Sequence, residues 1–168
     1  MKGFLMLLVV LVASPLWPLG ENPTVGDPFV IVNISTNQLA FVHDGEIKKT
    51  FAVATGKEED RTPEGLFTVT VKATEPYYRK KNIEGGAVEN PLGSRWIGFD
   101  ARGSDGRTYG IHGTNQPQSI GQSITAGCVR MANEQVEILY EEVPLGTKVL
   151  IVSSGDSFET LARLYGAM

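Results

Sequence analysis

A short glycine-rich stretch holds the residues that could perform nucleophilic chemistry. The segment from Ile111 to Met131 reads IHGTNQPQSIGQSITAGCVRM, and it contains the single cysteine, Cys128, and one of the two histidines, His112. A thiolate is the nucleophile, whereas free cysteine, with a pKa of about 8.5, is mostly protonated at neutral pH. A neighbouring imidazole can take the proton and stabilise the resulting ion pair. The two residues therefore predict a cysteine nucleophile with a histidine base.

The residues around Cys128 support this hypothesis. The backbone N–H groups of Gly127 and Cys128 can be aimed at a developing oxyanion, and Gly127 permits a close approach by substrate. Arg130 could grip a carboxylate through two parallel hydrogen bonds. The alternative is that Cys128 is a small buried side chain without chemistry. Its position in a glycine-rich segment, outside any apolar periodic run, favours the catalytic interpretation.

Three parts of this stretch resemble the signature of the L,D-transpeptidase catalytic domain: His112-Gly113-Thr114, Ser119-Ile120-Gly121 and Thr125-Ala126-Gly127-Cys128-Val129-Arg130-Met131. That signature is a histidine, a spacer, and then Ser/Thr-His-Gly-Cys-hydrophobic-Arg/Asn. Upstream, the run from Thr62 to Phe67 (TPEGLF) resembles the Thr-Pro-x-Gly-x-Phe segment of the family. One position departs from the family signature: Ala126 stands where the family commonly has histidine. The family's general base maps onto His112, so we expect activity to survive with one auxiliary hydrogen bond missing near the oxyanion site.

The resemblance implies peptidoglycan L,D-transpeptidation, with stem peptides as partners and no metal or organic cofactor. It implies that Cys128 attacks the L-centre carbonyl of the third stem residue and expels D-alanine, with His112 as base. The Gly113 carbonyl would orient the imidazole, Gly127 and Cys128 would bind the oxyanion, and Arg130 would bind a stem carboxylate. An amine of a second stem would then resolve the thioester and form a 3→3 cross-link.

Two other functions remain compatible with the sequence. Water could resolve the same thioester, which would make an L,D-carboxypeptidase. A non-catalytic wall-binding module is favoured slightly by Ala126 and by the segment from Ser154 to Ala162, which resembles the start of a LysM repeat. Too few residues follow to complete such a repeat, and a terminal helix is the simpler expectation.

Composition sets broad bounds. The 168 residues, with 42% hydrophobic and 20% charged residues, fit a single globular domain. A net charge of −4 argues against nucleic-acid binding. One cysteine rules out an internal disulfide framework. The sequence contains no Cys/His cluster of the kind that binds zinc. There is no repeat or heptad from which an oligomeric state could be inferred.

The amino terminus resembles a targeting segment. Lys2 precedes the apolar run from Phe4 to Ala13, and prolines follow, so residues 1–20 predict a signal peptide or an amino-terminal membrane anchor. Either would place the rest outside the cytoplasmic membrane, at its outer face or in the cell wall, with the membrane contacted only through such an anchor. Residues 21–28 predict a linker, 29–152 the catalytic domain, and 153–168 a helical tail.

The predicted fold is mainly β, a β-rich α+β sandwich or open barrel with one packed helix and a short carboxy-terminal helix. Alternating β-rich runs predict strands at Phe29–Ile34, Gln38–His43, Glu46–Ala54, Leu66–Thr74, Arg95–Phe99, Thr108–His112 and Lys148–Val152. Thr55–Gly65 reads as a polar loop. Glu75–Ser94, with Tyr77, Tyr78 and a basic run, reads as a flap. His43, beside a turn, is expected to be an exposed strand-end residue.

Two helices complete the prediction. Val136, Leu139, Tyr140 and Val143 fall on one helical face, with Asn133 as the expected N-cap and Pro144 as the stop. This helix should pack on the sheet and support the cysteine loop. Asp156 and Glu159 have the spacing of a capping box at the start of the final helix.

Overall fold

The computed structural model describes residues 22–168; the predicted targeting segment lies outside these described residues. The strands are β1 Phe29–Asn33, β2 Gln38–His43, β3 Glu46–Ala52, β4 Thr55–Gly56, β5 Gly65–Thr74, β6 Arg95–Phe99, β7 Tyr109–His112, β8 Ser123–Thr125, β9 Val129–Arg130 and β10 Lys148–Val152. The helices are α1 Asn133–Glu142 and α2 Phe158–Leu164. The predicted mainly β class is confirmed.

One eight-stranded sheet forms the body, in the order β3-β2-β1-β10-β5-β6-β7-β9. The pairs β1–β10 and β7–β9 are parallel, and the other neighbours are antiparallel. The turn between β2 and β3 has positive φ at both Asp44 and Gly45, the combination that matches the twist of a two-residue hairpin. The two edges of the sheet meet beyond β3, where Ala54 and Arg130 exchange backbone hydrogen bonds of 2.8 Å in both directions.

The central strands are buried on both faces because their apolar runs are continuous. In β1, Val30 and Val32 join the larger core, whereas Phe29 and Ile31 join a second cluster on the opposite face. The larger core receives Val136, Leu139 and Val143 from α1 and its end, as the helical periodicity predicted. The second cluster is closed by side chains of α2 and the residues after it (Leu161, Ala162, Ala167). The segment after Val152 therefore packs on the same sheet.

Two predicted segments differ from the structure. The third strand ends at Ala52, and Thr55–Gly65 is more ordered than a polar loop: β4 pairs with β8, and a 3-10 turn follows at Glu58–Asp60. The Thr62 hydroxyl, in a residue that is 2% exposed, accepts a hydrogen bond of 2.9 Å from Gly56 N–H. Such short strands leave no alternating pattern in the sequence, because they are set by pairing with distant residues.

Both predicted helix caps were wrong. Ala132 occupies the N-cap position of α1, and Asn133 is the first helical residue, with its side chain turned to two neighbouring backbone segments. In α2 the N-cap is Ser157, whose hydroxyl accepts from Thr160 N–H at 3.2 Å, so the Asp156 and Glu159 capping box does not form.

Within residues 22–168, no helix is long and apolar enough to cross a membrane.

Candidate active site

His112 ends β7, which is held between β6 and β9. The strand registers place it opposite Trp96 on one side and Arg130 on the other. The side chain is buried, and its ring stacks on the indole of Trp96 with centroids 5.6 Å apart and planes 18° apart. The indole is itself fixed, because Trp96 Nε1 donates to the Gly106 carbonyl at 2.8 Å. The plane of the imidazole is therefore set by packing.

The tautomer of His112 follows from one contact. Its Nδ1 lies 2.6 Å from the carbonyl oxygen of Gly113. A carbonyl only accepts hydrogen bonds, so Nδ1 carries the proton and Nε2 keeps a lone pair. Burial lowers the pKa of His112 to about 4; the Gly113 and Leu92 carbonyls oppose this shift, whereas the charge of Arg130 adds to it. At neutral pH the ring is uncharged and can act as a base through Nε2.

Cys128 directly precedes β9, the strand that pairs with β7 and its His112. β7 and β9 are parallel, and His112 pairs with Arg130. Cys128 therefore lies two residues before the residue that faces His112 across the strands. Its thiol is turned toward the Thr108 carbonyl, with Sγ 3.5 Å from that oxygen. The thiol must therefore rotate toward the imidazole before it can give up its proton there, as is common in enzymes without bound substrate.

Burial raises the pKa of the Cys128 thiol above its ordinary value. A backbone hydrogen bond from Gly110 and the positive charges of Lys80 and Arg130 act in the opposite direction. The resting pair is consequently a neutral thiol and a neutral imidazole. The ion pair that the sequence suggested is disfavoured until a substrate changes the surroundings.

The loop before Cys128 is shaped by Thr125. The Thr125 hydroxyl donates to the Cys128 carbonyl at 2.6 Å and accepts from Gly127 N–H at 3.2 Å, with Gly127 at a φ of 109°. In this arrangement the Gly127 N–H points to Thr125, and an oxyanion would have to draw it away. The oxyanion roles of Gly127 and Cys128 remain predictions. Ala126, where the family commonly has histidine, is exposed.

Arg130 lies half-buried without an acidic partner among the described residues. Its Nη1 donates to Ser119 Oγ at 3.0 Å and approaches Gln116 Oε1 at 3.5 Å, while its buried Nε has no hydrogen-bond partner. Burial lowers the pKa of Arg130, a shift that the nearby Cys128 opposes. A guanidinium with unused donors next to a nucleophile is suited to receive an anionic group.

The flap, residues 75–94, encloses a cavity of about 330 Å³ together with β5, β6 and the cysteine. Its lining includes Cys128, Trp96 and Leu92, and the flap residues Tyr77, Tyr78, Arg79 and Lys80. The cluster of aromatic and basic residues that the sequence placed in this flap thus faces the nucleophile, except for Lys81. No acidic side chain lines this cavity.

A buried amide orders the flap. Asn90 is 2% exposed, and its Nδ2 donates to the carbonyls of Pro76 at 2.8 Å and Glu84 at 3.0 Å. Its Oδ1 accepts from Leu92 N–H at 2.9 Å. These bonds join the start, the middle and the end of the flap, and they hold Leu92 in the wall of the cavity.

Sequence reasoning missed several contributors to the site. Trp96, Asn90 and Asn133 were not assigned to it, and Ser119 was noted only as part of a motif. Their roles depend on contacts between residues that are far apart in the chain, for which the sequence carries no periodic signal.

These features together are suited to acyl transfer through a cysteine. A base with a fixed tautomer, a thiol, a guanidinium without an acidic partner and a cavity lined by basic residues lie around the paired strands β7 and β9. Within residues 22–168, no three His, Cys, Asp or Glu side chains are grouped so as to hold a metal ion.

Comparison with known proteins gives consistent matches. The family model described as the L,D-transpeptidase catalytic domain, YkuD, matches residues 27–151. The YqjB protein of Bacillus subtilis strain 168, a relative named for L,D-transpeptidase activity, is 57% identical over 165 residues, which cover 98% of this chain and 94% of that protein. YkuD of the same organism, also named for this activity, is 34% identical over 134 residues, covering 77% of this chain and 71% of the relative.

Solved structures share the fold. The Ldtfm–avibactam carbamoyl enzyme superimposes with a TM-score of 0.62 at 24% identity, covering 77% of this chain and 50% of that one. The catalytic domain of the Enterococcus faecium L,D-transpeptidase, solved by NMR, gives a TM-score of 0.60 at 23% identity, covering 77% of this chain and all of that one. At these identities the likeness concerns the fold alone.

Proposed function

The chain belongs to the YkuD family of L,D-transpeptidase catalytic domains, and on that premise we propose that it forms 3→3 cross-links between peptidoglycan stems through an acyl-enzyme on Cys128. The observation that carries the proposal is the contact between His112 Nδ1 and the Gly113 carbonyl. It leaves Nε2 as the available base beside the cavity that contains the single cysteine.

Acylation begins with proton transfer from the Cys128 thiol to His112 Nε2. The sulfur attacks the carbonyl carbon at the L-centre of the third stem residue, and the oxyanion takes hydrogen bonds from the backbone N–H groups of Gly127 and Cys128. The tetrahedral intermediate collapses as the C–N bond to D-alanine breaks. The imidazolium gives its proton to the leaving amine, and a thioester on Cys128 remains.

The second half-reaction uses the same groups in reverse. A side-chain amine of another stem attacks the thioester carbon and gives a proton to His112 Nε2. When the C–S bond breaks, the thiolate of Cys128 is released and takes the proton back from the imidazolium. Because both resting partners are neutral, the thiolate and the imidazolium form only during turnover, and no ion pair has to persist in the empty site.

Donor binding is assigned to the cavity under the flap. Tyr77, Tyr78 and Trp96 offer apolar faces to the stem, and Arg79 and Lys80 stand at its rim without acidic partners among the described residues. Arg130 receives a stem carboxylate. In a chain of net charge −4, this local positive charge favours the carboxylate-rich stem peptide.

We also propose that the enzyme works outside the cytoplasmic membrane, in the cell wall or at the outer face of that membrane, where it contributes to cell-wall biogenesis and cell shape. The support is the location of peptidoglycan together with the apolar run at residues 4–13, which resembles a signal peptide or anchor. A fusion of residues 1–28 to a reporter that is active only outside the membrane should produce signal. A silent fusion would contradict this localisation.

The direct test is to incubate the full chain with purified disaccharide-tetrapeptide and read the products by mass spectrometry. A dimer that has lost one D-alanine is the expected product. The Cys128→Ala variant should give none, and Cys128→Ser should be folded but inactive.

Other products would redirect the assignment. Tripeptide without dimer would mean that water resolves the thioester, as in a carboxypeptidase. No product from a folded protein that still pellets with wall material would indicate a binding module. The packing of α2 on the sheet speaks against that last reading, because the residues that resemble a LysM repeat are used in the core.

A further inference from the structure

Asn133, the first residue of α1, joins two backbone segments beside the candidate base. Its Oδ1 accepts hydrogen bonds from Thr114 N–H at 3.0 Å and from Ser94 N–H at 3.3 Å. Both partners are donors, so the atom that faces them has to be the amide oxygen and not the amide nitrogen. The side chain therefore holds the end of the flap and the loop after β7 to the start of the helix.

The fit around this oxygen is close. A Cβ placed on Gly113 would lie 2.1 Å from Asn133 Oδ1, and one placed on Gly93 would lie 2.2 Å from it. Only glycine leaves room for the amide at either position. The two segments are thus built to receive a side chain from α1 between them.

One of these bonds acts on the histidine through a single peptide group. The Thr114 N–H and the Gly113 carbonyl are the two ends of the same planar amide. Asn133 Oδ1 binds its N–H end, and His112 Nδ1 binds its carbonyl end at 2.6 Å. Hydrogen bonds in such a chain polarise one another, and the amide plane cannot rotate without breaking both.

We propose that Asn133 is a positioning residue of the transpeptidase reaction, which fixes the peptide plane between Gly113 and Thr114 and thereby the tautomer and orientation of His112. The inference rests on the proposed role of His112 as the base. Asn133 does not line the cavity that contains Cys128; it lines a separate cavity of about 490 Å³, which the flap residues Asn90 and Ser94 also line. Its link to His112 runs through the backbone of Gly113 and Thr114. The Ser94 bond extends the same control to the end of the flap.

The test compares Asn133→Leu, which removes the acceptor at similar size, with Asn133→Asp, which keeps it. Asn133→Leu should lower kcat on the order of 10- to 100-fold with KM little changed, as expected when a supporting hydrogen bond to a catalytic group is lost. Asn133→Asp should retain most of kcat. Asn115 is an exposed asparagine in the loop that follows β7. Asn115→Leu is therefore the matched control and should have the kcat and KM of wild type.

A second readout does not require turnover. The chain has only two histidines, so ¹⁵N labelling of imidazoles gives one signal set for His112 and one for His43, assigned with His43→Gln. The wild type should show the Nδ1–H tautomer of His112, and Asn133→Leu should show a mixture. Asn133→Asp should keep the tautomer and raise the midpoint at which His112 titrates, because a carboxylate favours the imidazolium.

The outcomes separate this inference from the proposed function. An Asn133→Leu variant with wild-type kcat and unchanged His112 signals would overturn the inference while leaving the transpeptidase intact. Equal loss of kcat in folded Asn133→Leu and Asn133→Asp would also overturn it. If wild type formed no dimer, the proposed function would fail, and the tautomer measurement would still decide whether Asn133 orients His112.

Discussion

Arg130 Nη1 meets the hydroxyl of Ser119 at 3.0 Å, and no carboxylate balances its charge among the described residues. Ser119 is buried and is itself tied to the chain, since its hydroxyl donates to the Gln116 carbonyl at 2.6 Å. The guanidinium is therefore held in place by neutral partners, with its charge left for a ligand. Burying a guanidinium without a counter-charge destabilises the folded protein unless an anion binds to it.

Replacing Arg130 with alanine should lower kcat/KM for the tetrapeptide donor roughly 10- to 100-fold, or about 1.5–3 kcal/mol, because a partly buried charged hydrogen bond to substrate is lost. Steady-state kinetics on wild type and variant would measure this. Ser119→Ala is the control, since it keeps the charge of Arg130 and removes only one hydrogen bond that holds the guanidinium. An unchanged kcat/KM in Arg130→Ala would remove this residue from the site.

The depressed pKa of His112 predicts a specific dependence of stability on pH. The folded-state pKa is about 4, whereas a histidine in the unfolded chain has a pKa of about 6.5. Between these values the unfolded chain binds more protons, so stability rises with pH across this window and is lost as the pH falls. From pH 7 to pH 4.5 the loss due to His112 should be roughly 2–3 kcal/mol.

Denaturant unfolding of wild type and His112→Gln at several pH values would isolate this contribution from that of the carboxyl groups. From pH 7 to pH 4.5, the free energy of unfolding of wild type should fall by roughly 2–3 kcal/mol more than that of His112→Gln. Parallel curves for His112→Gln would mean that the histidine is not held neutral by burial.

The strands, the helix α1 and the residues of the glycine-rich stretch were predictable because each leaves a local pattern. Runs of β-favouring residues bounded by turn residues located β2 and β6, a period of 3.6 located Val136 and Leu139, and residue types at fixed spacing singled out Cys128. The strand pairing was not predictable, because the parallel pair β1–β10 joins residues more than a hundred positions apart.

The supporting contacts of the site were hidden for a different reason. Asparagine before a helical run is a common N-cap, and local rules assigned Asn133 that role. Its oxygen is used instead by Ser94 and Thr114, which the fold brings to it. These tertiary hydrogen bonds override the local preference of asparagine for the N-cap. Ala132 occupies the N-cap position instead, without a side-chain hydrogen bond.

Changing Ala126 to histidine should have little effect on turnover, within about threefold of wild type. Residue 126 is exposed, and the turn around it is already closed by Thr125, so an added imidazole would face solvent. Steady-state kcat and KM for the tetrapeptide check this expectation. A gain well above tenfold would contradict it and would mean that the position contributes a hydrogen bond near the oxyanion.

Neutralising Lys80 should weaken the use of donors with free carboxylates but not of donors in which these groups are amidated. Lys80 lines the cysteine cavity and is exposed, so Lys80→Gln should reduce kcat/KM only about two- to fivefold at low salt. High salt should remove the difference. Lys81→Gln, on the same turn but outside the lining, is the matched control. A loss that is equal for acid and amide donors would argue against charge recognition.

Removing the buried amide of Asn90 should loosen the flap without unfolding the domain. Asn90→Ala leaves the carbonyl of Pro76 and the N–H of Leu92 without their side-chain partner, at about 1–3 kcal/mol for each buried group left unpaired. The carbonyl of Glu84 loses one of two partners, since it also accepts from Ala87 N–H at 3.4 Å. The sheet and its core do not depend on these bonds. The loss should therefore fall on the flap, raising KM for the donor more than it lowers kcat.

Hydrogen exchange would locate this effect. Amides of the flap that are bonded within it, such as Tyr78 and Ile83, should exchange faster in Asn90→Ala, while those of β1 and β10 keep their protection. Glu89→Ala, exposed in the same flap, should exchange as wild type does. Faster exchange spread evenly over the sheet would contradict a local role. An unchanged KM with a loosened flap would show that donor binding does not need the ordered cavity wall.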